Sequence, residues 1–151
     1  MIAGSLSITG DKQLMRTLDA VSGAIQGKAI ASGLYAAGKV VEGHAKTYSR
    51  IDLGFMRNSI YVKAPGISDY PIAHAAAKAA APDRVFLPEA TLPDKMTAVV
   101  ACGAEYGIHN EYPTASTPAQ PFMRPGLYNH QDEVNKAFAV NVWQEIKDAI
   151  R

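Results

Sequence analysis

The sequence predicts a single α+β domain, and three segments carry that prediction. Residues 28–48 contain no proline, and their apolar side chains recur at three- and four-residue steps, which is typical of a long amphipathic helix. Residues 59–63 alternate between polar and apolar side chains, which predicts a half-buried strand. A closing amphipathic helix is indicated by apolar side chains at four-residue steps: Val134, Phe138, Val142 and Ile146.

Two further elements follow from the same periodicities. A short first helix from Asp11 is predicted by three apolar residues: Leu14, Leu18 and Val21. Residues 95–101 include a short apolar run that Gly103 ends, and we expect this strand to pair with the strand around Ile60.

The long helix contains three glycines, Gly33, Gly38 and Gly43. Each lowers the intrinsic stability of a helix by up to about 1 kcal/mol relative to alanine. A helix that keeps them is expected to depend on close packing, either inside the domain or across a contact between subunits.

Prolines mark two unusual segments. Residues 64–93 hold five of the nine prolines around an alanine-rich run, and we interpret them as an inserted arm or loop with at most a short helix. Residues 112–126 hold the other four, and they predict a rigid connector that is extended or turning, because proline lacks the N–H that helices and central strands require.

Length, charge and cysteine content limit the function. With 151 residues and no low-complexity stretch, the chain predicts one domain, 1–151. Lysine and arginine number 15 against 14 acidic residues, and the formal net charge of +1 lacks the strong positive field of most nucleic-acid-binding proteins. The single cysteine, Cys102, excludes an intrachain disulfide and a cysteine-only zinc site, and fits a reducing compartment. The sequence shows no apolar run long enough for a membrane span and no export signal, so we expect a soluble protein.

An alternative function is that of a small metal-dependent hydrolase. Its possible metal ligands are Cys102, Glu105 and His109. They stand in no short ligand motif, and a free cysteine at the end of an apolar strand is more typical of a small core residue. The chain also lacks a glycine-rich phosphate loop and a Gly-x-Ser-x-Gly motif. We therefore expect no catalytic site, no metal and no cofactor.

Basic residues along the long helix and its end suggest a second alternative, contact with DNA: Lys28, Lys39, Lys46 and Arg50. Their spacing places them broadly on one side of the helix. Charges opposite an apolar stripe are, however, typical of the solvated face of any amphipathic helix.

Two short motifs are the most informative. In the first, Asp52 can accept hydrogen bonds from nearby backbone N–H groups, Gly54 can adopt a positive φ angle, and Arg57 is either solvated or part of an interface. In the second, Pro121 and Pro125 stiffen the backbone around Phe122 and Arg124. Phe122 is then either presented to a partner or packed in the core, while Arg124 can pair with a carboxylate.

Four stretches of the chain, taken in their order along the sequence, resemble a family of tailed-bacteriophage tail-completion and neck proteins of the siphovirus type. The family pattern is an alanine-rich helix ending in Ala-Lys, a Pro-Val-Asp-Thr-Gly-x-Leu-Arg-x-Ser-Ile turn and strand, a Tyr-Ala-x-x-x-Glu-x-Gly strand end, and a Pro-Phe-x-Arg-Pro-Ala entry to a last helix. The matching stretches here are residues 45–46, 51–60, 105–111 and 121–126. The chain departs from the pattern at four positions: Leu53, Met56, Tyr112 and Gly126.

The resemblance implies a small, mainly antiparallel sheet packed by the long helix and the closing helix. It implies a non-enzymatic structural subunit of the virion, located at the head-to-tail junction and assembled in the host cytoplasm. Its partners would be copies of itself in a ring around the DNA channel, a hexamer by analogy, together with the tail tube or tail terminator and the head-side connector proteins. DNA would pass through without sequence-specific binding. The residues expected to form the turn, the interface and the connector are Asp52, Gly54, Arg57, Glu111, Pro121, Phe122, Arg124 and Pro125.

Overall fold

The computed structural model describes residues 16, 19, 22–23, 25–50, 54–116 and 118–150. Within these ranges the domain contains helices and one small antiparallel sheet, which confirms the predicted α+β class. The three apolar residues predicted for the first helix lie outside the described residues, and so does Asp52.

Helix α1, Ile30–Tyr48, is the central element of the fold and follows a turn of π-helix, Ile25–Ala29. It confirms the helix predicted for residues 28–48. The helix ends where Ser49 turns to an extended conformation while its N–H still donates to the Ala45 carbonyl at 2.9 Å. The side chain of Ser49 donates to the carbonyl of Lys46 at 2.8 Å and so satisfies another terminal group.

Glycine lets α1 approach its neighbours closely at two points. A Cβ added at Gly33 would lie 2.6 Å from Cγ2 of Val142, and one added at Gly38 would lie 2.5 Å from Cγ1 of Val62. The packing that Gly33 and Gly38 permit is therefore inside the domain. At Gly43 an added Cβ would meet open space.

The sheet has three strands in the order β2-β1-β3, with β1 at Ile60–Ala64, β2 at Ile67–Ser68 and β3 at Val99–Cys102. Gly66, with a φ of 75°, forms the tight turn between β1 and β2. Strands β1 and β3 are antiparallel, with Ile60 opposite Cys102. This pairing confirms the predicted one, although β3 begins four residues later than expected.

A short helix, α2, Phe55–Asn58, leads from the long helix into the sheet. Gly54 precedes it with a φ of 81°, the positive angle that the sequence predicted. Phe55, Met56 and Ile60 are buried and belong to the main core cluster, so this segment anchors β1 as expected.

The prediction that residues 64–93 form an inserted arm is wrong for its first half. This segment contains the end of β1, all of β2 and the 11-residue helix α3, Tyr70–Ala80. Pro71 lies in the first helical turn, where its missing N–H removes no helical hydrogen bond, and the alanines at 73, 77 and 81 are buried against the domain. Residues 82–98 are a loop, but Phe86 within it packs against the core cluster.

The connector predicted for residues 112–126 is shorter than expected. Helix α4, Gly107–Glu111, precedes it, and helix α5, Met123–Tyr128, already includes Pro125 in its first turn. The closing helix α6, Gln131–Ile150, packs along α1, while α1 itself packs on β1. None of the helices in the described ranges is long and apolar enough to cross a membrane.

Candidate functional site

The carboxylate of Glu111 organises the end of the proline-rich connector. It accepts hydrogen bonds from the backbone N–H groups of Phe122 at 2.8 Å, Met123 at 2.9 Å and Arg124 at 3.1 Å. These groups are the unpaired donors at the start of α5, which no side chain of its own N-cap residue satisfies. Glu111 therefore caps α5 from the end of α4.

Arg124 returns two hydrogen bonds to the same residue. Its Nε donates to Oε1 of Glu111 at 2.9 Å, and its terminal nitrogen donates to the Glu111 backbone carbonyl at 2.8 Å. The guanidinium also lies over the ring of Tyr112, 4.7 Å from its centroid. We call these five residues, Glu111, Tyr112, Phe122, Met123 and Arg124, the connector cluster.

Glu111 is ionised in this setting. Its burial by itself would raise the pKa of the carboxyl group, but the hydrogen bonds from the three backbone N–H groups and from Arg124 outweigh that effect and lower the pKa below its ordinary value of 4.5. The charge thus strengthens each of the hydrogen bonds that it accepts.

The connector cluster joins the core through Phe122 and Gly126. Phe122 is 1% exposed, so of its two predicted placements it adopts the one in the core. A Cβ added at Gly126 would lie 2.9 Å from the backbone nitrogen of Ala45. Glycine at this position therefore permits the close approach of α5 to α1.

The turn motif is placed next to α3. A Cβ added at Gly54 would lie 3.9 Å from Cβ of Ala80, and Asn58 donates to the carbonyl of Ala76 at 3.4 Å. Arg57 is exposed between these contacts. The structure therefore brings Glu111, Phe122 and Arg124 together, while Gly54 lies beside α3 and Arg57 is exposed.

The alternative metal site at Cys102, Glu105 and His109 is not assembled. Among the described residues, three possible ligand atoms converge within 4.8 Å only in another cluster. Glu105 and His109 are exposed, whereas the Cys102 thiol is 3.4 Å from the hydroxyl of Ser59. Burial raises the pKa of the Cys102 thiol, which disfavours the thiolate that metal binding requires.

Three of the four basic residues proposed for DNA contact are paired with carboxylates. Three ion pairs account for this: Lys28–Glu145, Lys39–Asp69 and Lys46–Glu42. The fourth residue, Arg50, donates from Nε to the side-chain oxygen of Gln120. Cations that are already paired contribute less to a positive surface for phosphate binding.

A partly buried charge network that the sequence did not predict joins α1 to the start of α3. The Tyr35 hydroxyl donates to Asp69 at 2.9 Å, and Lys39 lies 3.0 Å from the same carboxylate. Burial raises the pKa of Tyr35, and the hydrogen bond to Asp69 raises it further. Burial alone would lower the pKa of Lys39, but its bonds to Glu42 and Asp69 outweigh this and raise it. Only the fold reveals the partners, since Asp69 is 30 residues from Lys39 in the chain.

A second group that sequence reasoning missed is His44, His130 and Glu133. The ligand atoms of these side chains lie within 4.8 Å of one another. The spacing of His130 and Glu133, three residues apart at the start of α6, was the one local signal that could have found it. His44 joins the group from the C-terminal end of α1.

Two apolar surfaces are open. A groove of about 380 Å³ lies between the helices and β3, which is an edge strand of the sheet formed by the described residues. Residues from four elements line it: Leu34, Val41, Val100, Leu127, Tyr128 and Val134. On the outer side of α6, Val140 and Trp143 are 57% and 62% exposed. Adjacent exposed apolar side chains of this size are typical of a surface that contacts another protein.

Comparison of the chain with protein-family models, with curated protein sequences and with solved structures finds no match. The function is therefore inferred from the residues and their arrangement.

Proposed function

We propose that this protein is a non-enzymatic structural subunit of the head-to-tail junction of a tailed bacteriophage, assembled with copies of itself as a ring around the DNA channel. The observation that carries the proposal is the connector cluster. The two last motifs of the resembled family pattern, residues 105–111 and 121–126, form one hydrogen-bonded unit through Glu111 and Arg124.

This arrangement supports a joining role because it fixes the direction in which the chain enters α5. Five hydrogen bonds involving Glu111 hold residues 122–124 against the end of α4. A segment that is ordered before assembly loses less conformational entropy when a neighbouring subunit packs against it.

The open apolar surfaces support self-association. Tryptophan is enriched among the residues that dominate binding energy at protein interfaces, and Trp143 lies exposed beside Val140 on α6. The apolar groove lies next to β3, whose outer edge can accept a strand or a side chain from a neighbour. A ring requires two different surfaces of one subunit to meet, and these two surfaces are candidates for that contact.

The charge distribution fits a wall of a DNA channel better than a DNA-reading surface. The net charge is +1, and carboxylates pair with Lys28, Lys39 and Lys46, the lysines that were candidates for phosphate contacts. Sequence-specific recognition would require unpaired donors directed at base edges. Passage of DNA through the channel without specific binding requires no such donors.

Light scattering of the purified protein across a concentration series, combined with negative-stain imaging, tests the proposal. We expect a closed ring, formed either by the protein alone or after purified tail tubes are added. The variant Trp143→Ala should shift the protein toward the monomer. The matched control is Ile72→Ala, because Ile72 is also highly exposed but lies on α3.

A protein that stays monomeric at every concentration, and that also fails to bind tail tubes, would overturn the proposal. Assembly that survives Trp143→Ala unchanged would place the contact elsewhere than α6. Circular dichroism of each variant separates loss of assembly from loss of folding.

A further inference from the structure

A cluster of two histidines and one glutamate lies where α1, the turn before α6 and the first turn of α6 meet. Nε2 of His44 is 2.9 Å from Oε2 of Glu133, and Nδ1 of His130 is 3.4 Å from the other oxygen of the same carboxylate. Both imidazole rings therefore direct a nitrogen toward one carboxylate. Glu133 is well exposed, so the cluster opens to solvent.

The rings hold each other in place. The His44 and His130 rings are stacked with their centroids 3.3 Å apart and their planes within 5° of parallel. Packing of one ring on the other restricts the rotation of both side chains. The hydroxyl of Tyr48 fixes the second ring further, since it lies 3.1 Å from Nε2 of His130.

We propose that His44, His130 and Glu133 form a binding site for a divalent transition-metal ion of the zinc type. Two imidazoles and one carboxylate are a donor set that such ions accept, and water can occupy a fourth position on the exposed side. Calcium and magnesium are disfavoured because they prefer oxygen ligands.

Side-chain rotations are needed to bring the donors to coordination distance. The ligand atoms lie within 4.8 Å of one another. Around a tetrahedral zinc ion with bonds of about 2.1 Å, the donor atoms are roughly 3.4 Å apart. Because the two ring planes are parallel and their centroids are 3.3 Å apart, one imidazole must turn out of the stack for both nitrogens to point at the same ion, and the exposed Glu133 side chain must rotate with it.

Before either ring can bind a metal, the nitrogen that faces Glu133 must lose its proton. As neutral rings, His44 and His130 donate to the carboxylate through a proton on Nε2 and on Nδ1, respectively. A metal at those nitrogens requires the other tautomer, with the proton on the opposite nitrogen of each ring. For His130 that nitrogen faces Tyr48, whose hydroxyl oxygen can then accept the hydrogen bond.

A metal at this place would connect the end of α1 to the start of α6. His44 belongs to α1, Glu133 belongs to α6, and 89 residues separate them in the chain. An ion bound only by the folded protein stabilises it by linkage. The inference rests on these side chains alone and does not depend on the proposed function.

Isothermal titration of the full chain with zinc chloride, after treatment with a chelator, tests the site. We expect one saturable zinc ion per chain and a rise in the melting temperature. His44→Ala and His130→Ala should each weaken zinc binding by about tenfold or more. Cobalt(II) bound in place of zinc should show the absorption bands of a tetrahedral ion with nitrogen and oxygen ligands.

The matched control is His109→Ala, which removes an exposed histidine outside the cluster and should leave zinc binding unchanged. Glu133→Gln provides a variant that keeps a polar side chain beside both rings, and it should weaken binding without unfolding the domain. Absence of saturable zinc binding by the wild-type protein would overturn the proposal. Equal loss of binding in His44→Ala and His109→Ala would overturn it as well.

Discussion

Glu111 and Arg124 are joined twice, once between their side chains at 2.9 Å and once from the Arg124 terminal nitrogen to the Glu111 backbone carbonyl at 2.8 Å. The same carboxylate accepts the backbone N–H groups of residues 122–124. One buried side chain therefore both caps α5 and fixes the arginine beside it. This relationship determines how the connector meets the core.

Replacing Glu111 with glutamine should lower the free energy of unfolding by about 2–3 kcal/mol. Each carboxylate oxygen accepts two hydrogen bonds, and the glutamine amide would turn one of these acceptors into a donor that faces two other donors. Urea denaturation at neutral pH measures the loss. Glu105→Gln is the matched control at an exposed position, and an equal loss in both variants would contradict the capping role.

The stabilisation by Glu111 should also depend on pH. Because the pKa of Glu111 is lower in the folded protein than its ordinary value of 4.5, the contribution is fully present above that value and is lost as the pH falls through the folded-state pKa. The difference in unfolding free energy between wild type and Glu111→Gln should therefore shrink below pH 4.5. A difference that stays constant from neutral to acidic pH would show that the charge of Glu111 is not what stabilises the connector.

Two glycines of α1 should respond to alanine in opposite directions. Gly33→Ala places a Cβ 2.6 Å from Cγ2 of Val142 and 2.9 Å from the ring of Phe138, and should destabilise the protein by about 1–3 kcal/mol, because these packed side chains must shift. Gly43→Ala adds a Cβ in open space and should stabilise the helix by about 0.5–1 kcal/mol. Chemical denaturation of both variants measures the effects, and equal shifts would show that helix propensity alone decides them.

Cys102 should react slowly with thiol reagents in the folded protein. Burial raises the pKa of its thiol, and hydrogen bonds from Ser59 and Ala104 offset this only partly, so little thiolate forms near neutral pH. Reaction with a chromogenic disulfide should be slow in buffer and fast in concentrated urea, where the chain is unfolded. Equal rates in the two solvents would mean that the thiol is accessible and unprotected.

Local periodicity was enough to predict the elements whose residues decide their own conformation. The stripe of α1 and the four-residue steps of α6 appear in the fold at nearly the predicted positions. Strand β1 also forms where it was predicted, but it is buried on both faces rather than half-buried, since Ile60, Tyr61 and Val62 are each no more than 1% exposed. The positive φ of Gly54 was predictable for the same reason, since only its own backbone is involved. Pro121 and Pro125 also predicted the connector, although they did not identify Glu111 as the residue that holds it.

The tertiary structure alone decided the rest, because long-range contacts outweighed local preference. Residues 70–80 form α3 rather than part of an arm because burial of Ala73 and Ala77 stabilises a helix there, with Pro71 in its first turn and Pro82 just beyond its end. Pro125 is tolerated inside α5 because the first helical turn has no need of its N–H. His44 and Glu133 meet across 89 residues, a distance over which a sequence pattern carries no information about contact. The sequence by itself thus determined the class of fold and its main helices, whereas packing determined which charges, rings and carboxylates face one another.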